Sequence, residues 1–225
     1  MRLIFIPGFG EGPTIFEHIA PSLPGNKLFI NNLDLLGVDY SPTRTVTQYA
    51  EQLIEHHNIN RQDVLIGHSM GGWVAYAIKQ LTGCAIVQIA SWTDPEKVRS
   101  PVKDLVVLEW LVRKNLYLNG TTKKLILWLG YRDKPSAQVM NDVFQNLINS
   151  PKGYIMNQLG IILNPANPQT PAQPDLRIHA RNDSIVGFPD QQTQFVPGDH
   201  FSLVTHPGDV SALLNDFLKA AYTNE

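Results

Sequence analysis

The sequence predicts an α/β protein, a doubly wound and mostly parallel β-sheet with helices on both faces. Short runs rich in Ile, Val, Leu and Phe recur along the chain, and stretches of helical periodicity separate most of them. Strands that are buried on both faces consist mostly of such apolar residues. The chain has 225 residues, of which 43% are hydrophobic and 17% charged, so it is long enough to form a sizeable core.

Six short apolar segments are predicted to be the strands of this sheet: residues 2–6, 27–31, 64–66, 85–89, 176–180 and 194–196. Helices are predicted at residues 46–57, 71–80 and 210–221. The last of these is expected to pack one face on the sheet, because its apolar residues recur at helical spacing: Val210, Leu213, Leu214, Phe217, Leu218 and Ala221.

The interval between the fourth and fifth predicted strands is far longer than a crossover helix requires. Helical patterns fill much of it, at residues 102–118, 121–130 and 136–148. We therefore predict an α/β core formed by residues 1–94 and 164–225, and a helical lid, residues 95–163, inserted over the carboxyl edge of the sheet. Prolines at every third position from Pro165 to Pro174 are interpreted as a stiff connector from the lid back to the sheet.

Composition narrows the classes of partner and compartment. The net charge of −2 gives no electrostatic reason to expect a nucleic-acid partner, and no apolar stretch is long enough to span a membrane. A single cysteine, Cys84, excludes an intramolecular disulfide framework and a cysteine-based zinc site. The first ten residues are interpreted as a strand and not as a signal peptide. We expect a cytoplasmic protein.

A serine between two glycines, in the stretch Gly67-His68-Ser69-Met70-Gly71, follows a predicted strand and precedes a predicted helix. The G-x-S-x-G pattern alone is weak, but a tight strand-to-helix turn would expose Ser69 at the carboxyl edge of the sheet. The following helix begins there, and its N-terminus favours negative charge beside the serine.

A serine hydroxyl is a poor nucleophile unless a base takes its proton and a carboxylate orients that base. Of the seven histidines, His200 has the best context, because it follows a predicted strand and a Gly-Asp turn. Asp183 lies just beyond the strand at 176–180, where catalytic groups gather in open α/β sheets. Asp94, after the strand at 85–89, is the alternative acid, because the 17 positions between Asp183 and His200 leave no room for a crossover helix.

The chain resembles the α/β-hydrolase fold family over nearly its whole length. The similarity is carried by the motifs "FIPGFG", "NLDLLGVDYS", "IGHSMGG", "IHARNDSIV" and "PGDHFSLVTHP". The resemblance implies that Ser69 is the nucleophile, Asp183 the acid and His200 the base. It also implies an oxyanion hole made by the backbone N–H groups of Phe9 and Met70.

The glycine loop agrees with this resemblance, since Gly8 and Gly10 would let the backbone approach a bound oxyanion closely. Pro7 stands where the family usually has a histidine. The chain begins at the family's third strand, so the first two strands are missing and the sheet is expected to have about six.

The resulting hypothesis is a serine hydrolase that cleaves a small-molecule carboxylic ester or thioester through an acyl-enzyme, without a cofactor or a metal. Trp92, Trp110 and Trp128 are predicted to contribute to substrate binding. The same triad could also catalyse C–C or amide hydrolysis or acyl transfer. From a different class, the chain could be a non-hydrolytic receptor on the same scaffold. The sequence predicts no oligomeric state.

Overall fold

A computed structural model describes residues 1–164, 172–189 and 192–222 of the chain. Most of the predicted proline-rich connector lies outside these residues. The described strands are β1 (Arg2–Ile6), β2 (Asn26–Phe29), β3 (Asp63–His68), β4 (Ala85–Ile89), β5 (Leu176–Ala180) and β6 (Gln194–Val196). They form one sheet in the order β2-β1-β3-β4-β5-β6, and every neighbouring pair is parallel. This architecture confirms the predicted fold class.

The described helices are α1 (Asn32–Leu36), α2 (Val46–His57), α3 (Met70–Thr82), α4 (Leu105–Arg113), α5 (Gly120–Ile126), α6 (Ala137–Asn149), α7 (Lys152–Leu163), α8 (Ser202–Thr205) and α9 (Pro207–Tyr222). A π-helical turn, Leu127–Tyr131, continues α5. Local sequence sets the ends of α2: Thr45 and Gln48 form a reciprocal capping box, and Asn58 ends the helix with a left-handed φ of 51°.

The side chains of β1 show how the sheet separates two hydrophobic cores, because successive residues of a strand point to opposite faces. Ile4 and Ile6 pack with residues of α2 and α3. Leu3 and Phe5 pack with residues of α9 on the other face. Apolar contacts on both faces therefore hold the carboxyl ends of the strands in place at one edge.

Helices α4 to α7 occupy the long interval between β4 and β5. A third apolar cluster joins α4, α6 and α7: Leu108, Val112, Leu147, Ile155, Met156 and Leu159. Helix α7 had no counterpart among the predicted helices. It is buried nearly all round, so its sequence lacks the amphipathic period that marks a surface helix.

The connection from β5 to β6 contains no helix in its described part, yet the two strands pair in parallel. Three backbone interactions fix this loop against residues 97–99. Arg99 N–H donates to the carbonyl of Ile185, Gly187 N–H donates to the carbonyl of Lys97, and Val98 forms an antiparallel bridge with Val186. The short spacing between Asp183 and His200 is therefore compatible with a parallel sixth strand.

Candidate active site

Ser69 occupies the turn between β3 and α3 in a strained backbone conformation, with φ 51° and ψ −122°. The flanking glycines make this turn possible. A Cβ on Gly71 would lie 1.9 Å from the carbonyl oxygen of Ile6, and one on Gly67 would lie 2.4 Å from the backbone of Gly71. The Ser69 N–H donates to the carbonyl of Ile89 at 3.0 Å, which holds the turn against β4.

His200 lies between β6 and α8, and its imidazole contacts both other members of the predicted triad. Its Nε2 is 3.0 Å from Oγ of Ser69, and its Nδ1 is 2.8 Å from Oδ2 of Asp183. All three residues are buried. Asp199 supports the turn, because its carboxylate accepts hydrogen bonds from the Phe201 N–H and from the Ser136 hydroxyl.

The Asp183 carboxylate is held in its charged form. Its Oδ1 accepts the N–H groups of Ile185 and Val186 at 2.8 and 2.9 Å. Burial opposes ionisation, but the contacts with His200 and the Val186 amide outweigh it and lower the pKa of Asp183 to about 2. The alternative acid, Asp94, is exposed and accepts the Glu96 N–H at 2.9 Å. The structure thus brings Asp183 to His200, and places Asp94 at the start of a short 3₁₀ turn.

The glycine loop after β1 passes close to Ser69, since a Cβ on Gly8 would lie 2.9 Å from the Ser69 Cβ. Two amides of this loop have side-chain partners: Gly8 N–H donates to Oε2 of Glu11 at 2.6 Å, and Gly10 N–H donates to Oε1 of Gln158 at 3.1 Å. Within the described residues, the N–H groups of Phe9 and Met70 donate to no backbone or side-chain acceptor.

A cavity of about 370 Å³ opens at Ser69 and His200. Most of its lining is apolar and comes from the glycine loop and from the segment between β4 and β5, including Phe9, Leu118, Ile126, Met140, Val143 and Phe144. Arg99 and Glu11 contribute charged side chains. The cavity can therefore enclose an apolar group next to the serine hydroxyl.

The three tryptophans predicted to bind substrate do not line this cavity. Trp92 is buried against a separate, smaller cavity beside Arg177. Trp110 and Trp128 are 55% and 60% exposed. On α4 the buried side chains are Leu108 and Val112, so a residue midway between them faces away from the core. Helical periodicity identifies a face, but it does not show which face covers the site.

Three polar residues near the site were not predicted from the sequence to have a functional role. Glu11 and Gln158 hold the glycine loop through the Gly8 and Gly10 amides, and the third residue is His68. His68 is buried, with Nδ1 2.9 Å from Oε2 of Glu11 and Nε2 2.9 Å from the carbonyl oxygen of His200. The available signal was a polar side chain in an apolar setting: Glu11 within a glycine loop and Gln158 in the segment "YIMNQLGIIL".

A model of the alpha/beta hydrolase family matches residues 3–213. The chain belongs to this family. Among curated proteins, none matches the chain significantly.

Within the described residues, no helix is long and apolar enough to cross a membrane, and no three His, Cys, Asp or Glu side chains converge as a metal site would require.

Solved structures share the fold of this hydrolase-family chain at low sequence identity. An enol-lactonase from Burkholderia xenovorans has a TM-score of 0.71 at 13% identity, covering 97% of this chain and 91% of that one. A thioesterase of the prodiginine biosynthetic pathway in Streptomyces coelicolor has a TM-score of 0.66 at 18% identity, covering 96% and 85%. A thermophilic esterase from Thermogutta terrifontis has a TM-score of 0.61 at 15% identity, covering 98% and 90%.

Proposed function

We propose that the chain is a serine hydrolase that cleaves carboxylic esters or thioesters through an acyl-enzyme at Ser69. The observation that carries this proposal is the continuous contact from Ser69 to His200 to Asp183 at the end of an apolar cavity. Family membership and the esterase, thioesterase and lactonase among the similar structures support hydrolysis as the reaction class.

In the acylation step, His200 Nε2 takes the Ser69 hydroxyl proton while Oγ forms a bond to the substrate carbonyl carbon. The carbonyl oxygen becomes an oxyanion, which the N–H groups of Phe9 and Met70 stabilise. The Asp183 carboxylate accepts a hydrogen bond from the Nδ1–H of His200 and stabilises the imidazolium. The tetrahedral intermediate then breaks its bond to the alcohol or thiol, which receives the proton from His200.

Deacylation repeats this chemistry with water. His200 takes a proton from water as the water oxygen bonds to the acyl carbon, and the proton then returns to Ser69 Oγ as the carboxylic acid leaves. The apolar lining of the cavity favours an apolar acyl group over a polar one, because its burial removes apolar surface from water.

Labelling with a fluorophosphonate tests this proposal directly. We expect one adduct by intact-mass spectrometry, mapped by peptide sequencing to Ser69, together with hydrolysis of p-nitrophenyl esters and of acyl thioesters. A folded protein that gives no adduct and hydrolyses neither class would contradict the proposal and would favour the receptor hypothesis.

Narrowing the cavity is expected to change acyl-chain preference. Val143→Trp places a large side chain in the lining, so kcat/KM for an octanoate ester should fall by about tenfold or more, whereas acetate ester turnover should change little. The matched control is Val106→Trp on α4, where the valine is 77% exposed. Equal losses for both esters would show that the cavity does not hold the acyl chain.

A further inference from the structure

Glu11, in the glycine loop after β1, and His68, at the end of β3, form a buried pair next to the backbone of His200. One carboxylate oxygen, Oε2 of Glu11, contacts both the Gly8 N–H at 2.6 Å and the His68 Nδ1 at 2.9 Å. The other ring nitrogen of His68 lies 2.9 Å from the carbonyl oxygen of His200. The side chains of Glu11 and His68 are 3% and 0% exposed, so water cannot replace these contacts.

The contacts decide where the protons lie. A carbonyl oxygen can only accept, so His68 Nε2 must carry a proton toward His200. A carboxylate oxygen that already accepts the Gly8 N–H is best matched by a second donor, which places a proton on Nδ1 as well. Burial opposes charge on His68, but the Glu11 carboxylate and the His200 carbonyl outweigh it and raise the pKa of His68.

We propose that Glu11 and His68 form a buried carboxylate–imidazolium pair that positions the oxyanion hole relative to His200. The pair connects Gly8, whose neighbour Phe9 supplies one of the proposed oxyanion donors, to the backbone of the proposed base. This inference rests on the proposed function, since it assigns these two residues a positioning role in the same reaction.

The positive charge on His68 has a second effect. Glu11 lines the catalytic cavity, and an unpaired carboxylate there would disfavour a developing oxyanion. His68 compensates that charge. Loss of His68 alone should therefore slow the reaction more than loss of both charges, because the single variant leaves Glu11 unpaired.

Steady-state kinetics of Glu11→Gln, His68→Gln and the double variant test the proposal. In Glu11→Gln a neutral His68 donates from only one nitrogen, so one of the three contacts is lost. With the amide oxygen toward Gly8, His68 can donate to that oxygen or to the His200 carbonyl but not to both. With the amide NH2 there instead, it can donate to His68 Nδ1, but the Gly8 N–H loses its acceptor. For Glu11→Gln we expect kcat to fall by about 10- to 100-fold, with KM within about threefold of the wild-type value. A displaced oxyanion donor affects the transition state and not substrate binding. The double variant should be faster than His68→Gln.

The chain offers a matched control in Glu17 and His18, an exposed pair 3.4 Å apart. Glu17→Gln and His18→Gln should retain wild-type kcat. Affinity for phenylboronic acid, which forms a tetrahedral adduct with an active serine, should fall in Glu11→Gln in parallel with kcat. A Glu11→Gln variant with unchanged kcat and boronate affinity would overturn the inference, as would a double variant slower than His68→Gln.

Histidine ring ¹⁵N spectra separate this inference from the proposed function, because they require no turnover. At pH 7 both ring nitrogens of His68 should be protonated in the wild type, and one should be protonated in Glu11→Gln. A neutral His68 in the wild type would refute the ion pair even if the enzyme is active. An inactive, unlabelled wild type with a charged His68 would instead refute the proposed function.

Discussion

Alanine at Ser69 or at His200 is expected to lower kcat for a p-nitrophenyl ester by about 10⁵-fold or more. In the proposed mechanism, the Ser69 variant lacks the atom that forms the acyl bond, and the His200 variant lacks the base 3.0 Å from that atom. Ser69→Ala keeps the same Cβ in the strained turn, so its melting temperature should stay close to that of the wild type. Steady-state hydrolysis and thermal unfolding measure the two effects, and His56→Ala, at an exposed histidine on α2, is the control.

A variant that carries both Ser69→Ala and His200→Ala tests this prediction a second time. In the proposed mechanism Ser69 and His200 act as one unit, so removing both should lower kcat no more than removing either one. Losses that multiply would show that His200 acts on a different step from Ser69, and a His200→Ala variant with wild-type turnover would require another base.

The sheet was predictable from sequence because each strand combines apolar side chains with a bounding turn, as in residues 85–89. The first and last residues of the strands were harder to predict. Strand β3 extends to His68, beyond the predicted end at residue 66, because Gly67 pairs with β1 and both Gly67 and His68 pair with β4. Such pairing depends on neighbouring strands, which a local pattern does not contain.

The position of the site at one edge of the sheet also followed from sequence. Parallel strands place their carboxyl ends together, so residues after β3, β5 and β6 were expected to meet, and Ser69, Asp183 and His200 are in contact in the structure. Contacts that do not follow from strand order were not predicted. Glu11 and His68 are 57 residues apart, and neither belongs to a motif that indicates the other.

The substitution Asp183→Asn is expected to reduce kcat by about 10⁴-fold, as tautomer reversal does in other serine triads. The oxygen of the introduced amide can still accept the N–H groups of Ile185 and Val186, so the loop should keep its conformation. The amide nitrogen would then face His200 Nδ1 as a donor. The imidazole proton must move to Nε2, which can no longer accept the proton of Ser69.

Asp94→Asn is the matched control, because Asp94 was the alternative acid and its side chain contacts the Glu96 N–H instead of His200. We expect wild-type kcat for this variant. A loss in Asp94→Asn equal to that in Asp183→Asn would contradict the assignment of Asp183 as the residue that orients His200.

Acid unfolding provides an independent measure of the same carboxylate. The pKa of Asp183 is lowered from 3.8 to about 2, so the charged form stabilises the folded state above pH 4 and this contribution is lost as pH falls toward 2. Asp183→Asn lacks the titrating group. The difference in melting temperature between the wild type and Asp183→Asn should therefore be largest above pH 4 and shrink between pH 4 and 2. A difference that stays constant across this range would show that the Asp183 carboxylate is not stabilised in its charged form by His200 and the loop amides.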